Sequence, residues 1–124
     1  MENITTKNNL ATERLPDSLA RKLLLSALPG LAEGHLSLID GDKSYEFGRK
    51  ESDLHATIIV NNPRFYRQIL LSGSIGAGEA YIQAHWTSPD LTKVVQLFAR
   101  NLPLLDKLEQ KLSWLTAPFS RLSH

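Results

Sequence analysis

The run Gly73-Ser74-Ile75-Gly76-Ala77-Gly78-Glu79-Ala80 is the first place where residue types and spacing suggest chemistry. Glycines separated by one residue let backbone amides approach a phosphate. A dinucleotide loop, however, follows a strand and opens a helix within a βαβ unit, and this run follows a helical pattern instead. The glycines therefore read as a tight turn between two helices. Glu79 falls in the first turn of the second helix, where the helix dipole favours a carboxylate, and a functional role for that carboxylate stays open. His35, His55, His85 and His124 stand at none of the spacings used by helical or finger-type metal sites. With no cysteine there is no thiolate nucleophile and no zinc–thiolate site. No Gly-x-Ser-x-Gly run is present either. These absences predict a chain with no catalytic residue, no metal and no cofactor of its own.

Two other groups of residues carry chemical interest. Phe65, Tyr66 and Ile69, with Tyr81, Ile82, His85 and Trp86, form the densest aromatic and aliphatic cluster. At helical spacing such a cluster builds a core or lines a lipid or acyl pocket. From Arg100 onward, Arg100, Lys107, Lys111 and Arg121 outnumber Asp106 and Glu109, and Trp114 and Phe119 accompany them. A weakly basic amphipathic segment of this kind lies on an anionic membrane surface or packs against another domain.

The elements that must position these residues follow from periodicity. Residues 1–16 are polar and lack an apolar period, which predicts an N-terminal tail. Pro16-Asp17 opens a helical pattern (Leu19, Leu23, Leu24, Ala27, Leu28) that Pro29-Gly30 stops. After Gly34 the period becomes two, with Leu36 and Leu38 on one face and His35, Ser37 and Ile39 on the other. Asp40-Gly41 predicts a hairpin turn into a strand over residues 43–47, and a third strand covers residues 54–60. The expected sheet is largely antiparallel. Asn62-Pro63 and Ser88-Pro89 each place a capping side chain before a proline at a helix start. The first of these helices ends at Gly73 and the second near Asn101, with a short helix over residues 76–86 between them that pairs Tyr81 with His85 and Ile82 with Trp86. After Pro103, Leu105, Leu108, Leu112 and Leu115 form an alternating three-and-four stripe that predicts an exposed helix in need of a partner.

Length and composition bound the function. A chain of 124 residues, 42% hydrophobic, is one domain with one core, and is short for a complete enzyme of the dinucleotide-binding type. Fourteen basic side chains against 13 acidic ones, scattered along the chain, argue against nucleic acid as a partner. The N-terminus lacks a signal-peptide core and no run approaches the roughly 20 apolar residues of a membrane span. The expectation is a cytoplasmic protein, with peripheral contact to the inner membrane face as an option.

Several segments together resemble a known family. They are Ala20-Arg21-Lys22-Leu23-Leu24, Gly34-His35-Leu36-Ser37-Leu38 with Asp40-Gly41, Phe47-Gly48, Asn62-Pro63-Arg64-Phe65-Tyr66-Arg67, and Ile75-Gly76-Ala77-Gly78-Glu79-Ala80-Tyr81-Ile82 followed by Trp86 and Ser88-Pro89-Asp90-Leu91. From about residue 19 onward, this pattern resembles the N-terminal domain of cyclopropane-fatty-acyl-phospholipid synthases. The most specific part is Gly78 to Tyr81 with Trp86 close behind. Where family members carry an acid and a glycine, this chain has Gln83 and Ala84, substitutions expected to leave the helix intact because both are better helix formers.

The resemblance implies an α+β, sterol-carrier-protein-like fold over residues 17–101. Residues 102–124 would form an amphipathic helix leading toward an absent S-adenosylmethionine-dependent methyltransferase domain. The implied function is a non-catalytic module that handles lipid or presents substrate, with phospholipid or an acyl chain as ligand and the methyltransferase domain as partner in cis or in trans. Phe65, Tyr66, Ile69, Tyr81, Ile82 and Trp86 would meet the acyl chain, and Arg64, Arg67 and Arg100 the phosphate headgroup. The alternative is a docking or homodimerisation domain using Glu79, Leu105, Leu108, Leu112 and Leu115.

Overall fold

The computed structural model describes residues 15–112. It is an α+β arrangement of a four-stranded mixed sheet and four helices among those residues. Helix α1 (Asp17–Ala27) runs into a 3₁₀ turn (Leu28–Gly30), then strands β1 (His35–Asp40), β2 (Lys43–Gly48) and β3 (His55–Val60). Helix α2 (Arg64–Ile82), the two-residue strand β4 (Trp86–Thr87), α3 (Leu91–Arg100) and α4 (Leu102–Leu112) follow.

The strand order is β2-β1-β3-β4. β1 pairs with β2 in antiparallel fashion, but with β3 in parallel, His35 opposite His55 through Asp40 opposite Val60. The expected antiparallel sheet is therefore corrected to a mixed one. Alternation within each strand reports faces but not direction. Here residues 49–54 carry the chain from the end of β2 past the start of β1, so β3 enters at the same end as β1. The hairpin also shifts by one residue. Asp40 pairs with Lys43, leaving Gly41-Asp42 as the central pair, and only Gly41 takes a positive φ, of 63°. That is the pattern of a turn with glycine first.

Alternation puts Leu36, Leu38, Ala56, Ile58 and Val60 on the face beneath the helices, all buried, with Tyr45 and Phe47 packed against them. Phe65, Tyr66, Ile69 and Leu70 from α2, and Val94 and Leu97 from α3, complete that core. Each large side chain removed from water contributes about 1.5–3 kcal/mol.

Two polar devices tie the layers together. Asn101, 5% exposed, sits between α3 and α4 with its amide fully used. Its Oδ1 accepts from the Ala32 and Glu33 N–H groups at 3.0 and 3.2 Å, and its Nδ2 donates to the Glu33 and Leu97 carbonyls at 2.9 and 2.8 Å. Across the sheet, the Tyr66 hydroxyl donates to Asp40 Oδ2 at 2.6 Å and Arg21 donates to the Tyr45 hydroxyl at 3.0 Å.

Helix α2 is broken where the glycines fall. Gly73 has φ 55° and ψ −134°, outside the helical region, and the chain folds back there. Gln68 Nε2 donates to Gln83 Oε1 at 2.7 Å, and His85 Nδ1 lies 2.8 Å from Gln68 Oε1. Residues 15 apart on a straight helix would stand about 22 Å apart. The return requires Gly76, where any Cβ would collide with the Gln68 carbonyl oxygen.

The expected helix over 76–86 stops at Ile82, so Ile82 and Trp86 are not helical neighbours, and Trp86 instead enters β4 opposite Val60. What ends the helix is Ala84, at φ 62°. The His85 N–H reaches back to the Ala80 carbonyl at 2.8 Å and the Ala84 N–H to that of Tyr81 at 2.9 Å. This is the paired closure of a left-handed helix C-cap, the position where glycine is favoured. Ala84 is thus not helical, and the helix-propensity reason for tolerating alanine there does not apply. At the helix starts, Asn62 Oδ1 accepts from the Arg64 N–H at 2.9 Å as expected, but α3 is capped by Asp90, with Ser88 accepting from the Asp90 N–H one step earlier.

The stripe after Pro103 is corrected as well. Leu105 and Leu108 are 5% and 8% exposed and belong to the core, because α4 packs along α2. They find their partner within the domain. The side chain of Leu112, and Leu115, Trp114 and Phe119, lie outside the described residues.

Two substitutions should move stability in opposite directions in urea unfolding. Ala84→Gly should raise it by about 1 kcal/mol by relieving the left-handed alanine. Gly76→Ala should lower it by about 3 kcal/mol, since backbone rather than a flexible side chain must yield.

Candidate functional site

The fold-back at Gly73 and the antiparallel return through β4 leave an apolar groove of about 360 Å³ between the second half of α2 and α3. Ser74, Ala77, Gly78 and Tyr81 form one wall. Leu91, Val95, Phe98 and Ala99 form the other, with Val94 and Trp86 deeper and Leu102 at the α3–α4 junction.

The floor is set by Trp86. Its ring is 2% exposed, and its Nε1 donates to the Ala77 carbonyl at 2.9 Å, which orients the indole with its one polar atom satisfied. Tyr81, Phe65 and Phe98 surround it at centroid distances of 5.1, 6.3 and 6.5 Å. Gly78 contributes the open space, because a Cβ built there meets nothing within 4 Å. The groove presents almost no hydrogen-bonding group, so it suits a hydrocarbon and not a polar metabolite.

The structure separates the expected acyl-contacting residues into two sets. Tyr81 and Trp86 line the groove. Phe65, Tyr66 and Ile69 are 1%, 0% and 3% exposed and lie in the core, away from the groove lining. Ile82 is 84% exposed and also outside the lining. Helical spacing could not distinguish these sets, since core and groove walls use the same residue types.

The expected headgroup residues do not line the groove either. Arg67 Nε stands 2.9 Å from Asp17 Oδ1, and Arg100 pairs with Asp53 at 3.3 Å, holding that carboxyl below its usual range. Arg64 is exposed at the start of α2, and Glu79 is exposed on its second half.

The groove residues not anticipated are chiefly Leu91, Val95, Ala99 and Leu102. Their spacing of four, four and three marks a second apolar stripe that runs along α3 to the first residue of α4, beside the core stripe of Val94 and Leu97. A helix of 10 residues with two apolar faces signals more than packing onto a sheet.

His35, 5% exposed, faces the opposite side of the sheet, with its ring 5.0 Å from that of His55 and its Nε2 3.2 Å from Glu46. Among the described residues, no three His, Cys, Asp or Glu side chains are grouped so as to hold a metal ion. No described helix is long and apolar enough to cross a membrane.

Tyr66 acts as a structural anchor, and burial together with the Asp40 hydrogen bond pushes its phenol well above the ordinary value of 10.0. The unfolded chain releases this proton near pH 10 while the folded chain retains it, so the Tyr66 contribution is complete below that pH and is lost as pH rises further. Tyr66→Phe should cost about 1–3 kcal/mol at neutral pH by leaving Asp40 without its donor. In urea unfolding at a series of pH values, the gap between the two proteins should narrow above pH 10.

No protein-family model, curated protein or solved structure matches this chain.

Proposed function

We propose that this chain is a non-catalytic lipid-handling domain that seats an acyl chain in the α2–α3 groove. The groove carries the reading: an open, apolar space of about 360 Å³ falls within the roughly 300–1,000 Å³ of ligand sites and has a rigid aromatic floor. The segment that resembles cyclopropane-fatty-acyl-phospholipid synthases most closely, Gly78 to Tyr81 with Trp86, supplies three of the groove's own residues, Gly78, Tyr81 and Trp86. In this reading the domain has a sterol-carrier-protein-like fold. It presents lipid at the inner membrane face to an S-adenosylmethionine-dependent methyltransferase domain, which alone would hold the cofactor and perform the transfer.

A second reading, a docking domain without lipid of its own, draws on the exposure of Ile75 and Ile82 beside the groove. Co-elution with a methyltransferase domain without lipid association would favour it.

Mass spectrometry of lipid extracted from the purified chain, and flotation with phosphatidylethanolamine–phosphatidylglycerol vesicles, test the lipid reading. Bound phospholipid or acyl chain is expected, and its absence in both assays would end this reading. Gly78→Leu should fill the groove and weaken binding of a fluorescent fatty acid at least tenfold. Its unfolding midpoint should stay the same or rise, because leucine is the better helix former by somewhat under 1 kcal/mol.

A further inference from the structure

Seven large apolar residues are exposed in the described part of the chain; four of them, Tyr81, Leu91, Val95 and Leu102, line the groove, and two more, Ile75 and Ile82, stand on the half of α2 that forms its wall. Leu19, on α1, is the exception. Exposures of 70%, 84% and 57% at Ile75, Ile82 and Val95 mean that these side chains stand out as ridges. Together the six leave roughly 600 Å² of apolar surface in water, at the upper limit of the patch a lone globular protein carries. A standard interface covers ~800 Å² per partner, so a patch of this size would make up most of one.

The form and extent of this face point to its occupant. Ile75 and Ile82 stand one helical repeat apart on α2, and Leu91, Val95 and Ala99 follow one another along α3 with Leu102 at the start of α4, so two apolar ridges flank one apolar groove. A two-fold interface requires each copy to offer the same patch, so that ridge meets ridge across the axis and the two grooves stay open toward each other. An acyl chain in a single open groove also leaves one side wet, whereas bound ligands commonly bury about 70–90% of their surface.

We propose that a second copy of this chain covers the α2–α3 face about a two-fold axis, bringing the two grooves face to face so that they enclose the hydrophobic ligand between them. The enclosure rests on the lipid reading; the association itself does not.

Sedimentation velocity of the full chain, over a range of concentrations and with or without sub-micellar palmitate, tests this. Wild type should sediment as a monomer–dimer equilibrium, and palmitate should tighten the dimer at least tenfold. Ile75→Lys and Ile82→Lys should both be monomeric and bind palmitate at least tenfold more weakly, although neither side chain lines the groove. Leu19→Lys should behave as wild type, and matching circular dichroism spectra would establish that all three variants are folded. A wild type that stays monomeric with and without palmitate overturns the proposal, as do monomeric variants with undiminished palmitate binding. A dimer broken by both lysines that binds no palmitate supports the association and removes the lipid reading instead.

Discussion

The close approach of Gly76 to the Gln68 carbonyl is the constraint on which the rest of this structure depends. Only a residue without Cβ fits against that oxygen. Because it fits, the helix that starts at Arg64 can reverse at Gly73 and return Gln83 to within hydrogen-bonding distance of Gln68. The return delivers Trp86 to the edge of the sheet, where its backbone pairs with Val60 and its indole closes over Ala77. A straight helix would carry these residues into solvent, and there would be neither a fourth strand nor a groove. Glycines that look like a phosphate loop in one dimension thus act through steric clearance.

Asn101 makes the complementary connection. A buried amide without partners would cost several kcal/mol, but this one uses both donors and accepts two N–H groups, so it orients the loop before β1 against the α3–α4 junction. The junction in turn places Leu102 at the groove and sends Leu105 and Leu108 into the core. One polar side chain thereby determines which leucines after Pro103 are structural. Their three-and-four spacing is equally suited to a partner protein and to α2, and geometry gives them α2.

The division between core and groove is local competition for the same kind of surface. Phe65, Tyr66 and Ile69 precede the reversal and face the sheet, whereas Tyr81 follows it and faces α3. Cα spacing alone makes them one cluster. The position of Ala84 shows the same effect on a smaller scale: helix propensity favours alanine, but the paired C-cap hydrogen bonds hold it in a left-handed conformation.

Local chemistry in the sequence determined the α+β class, the start of α1 at Asp17, the inward faces of β1 and β3, and the break at Gly73. Each depends on a period, a cap or a glycine within a few residues. The sequence also marked residues 78–86 as distinctive. Only the tertiary structure decided that β3 runs parallel to β1, that Trp86 belongs to a strand, and that Leu105 and Leu108 are interior. It also decided that the apolar site lies between α2 and α3, with its second wall on Leu91, Val95 and Leu102. These outcomes depend on which distant surfaces meet. Hydrophobic burial is non-directional, so an apolar stripe records that it must be covered and leaves its partner to be selected by backbone clearance at Gly76 and by the hydrogen bonds of Asn101.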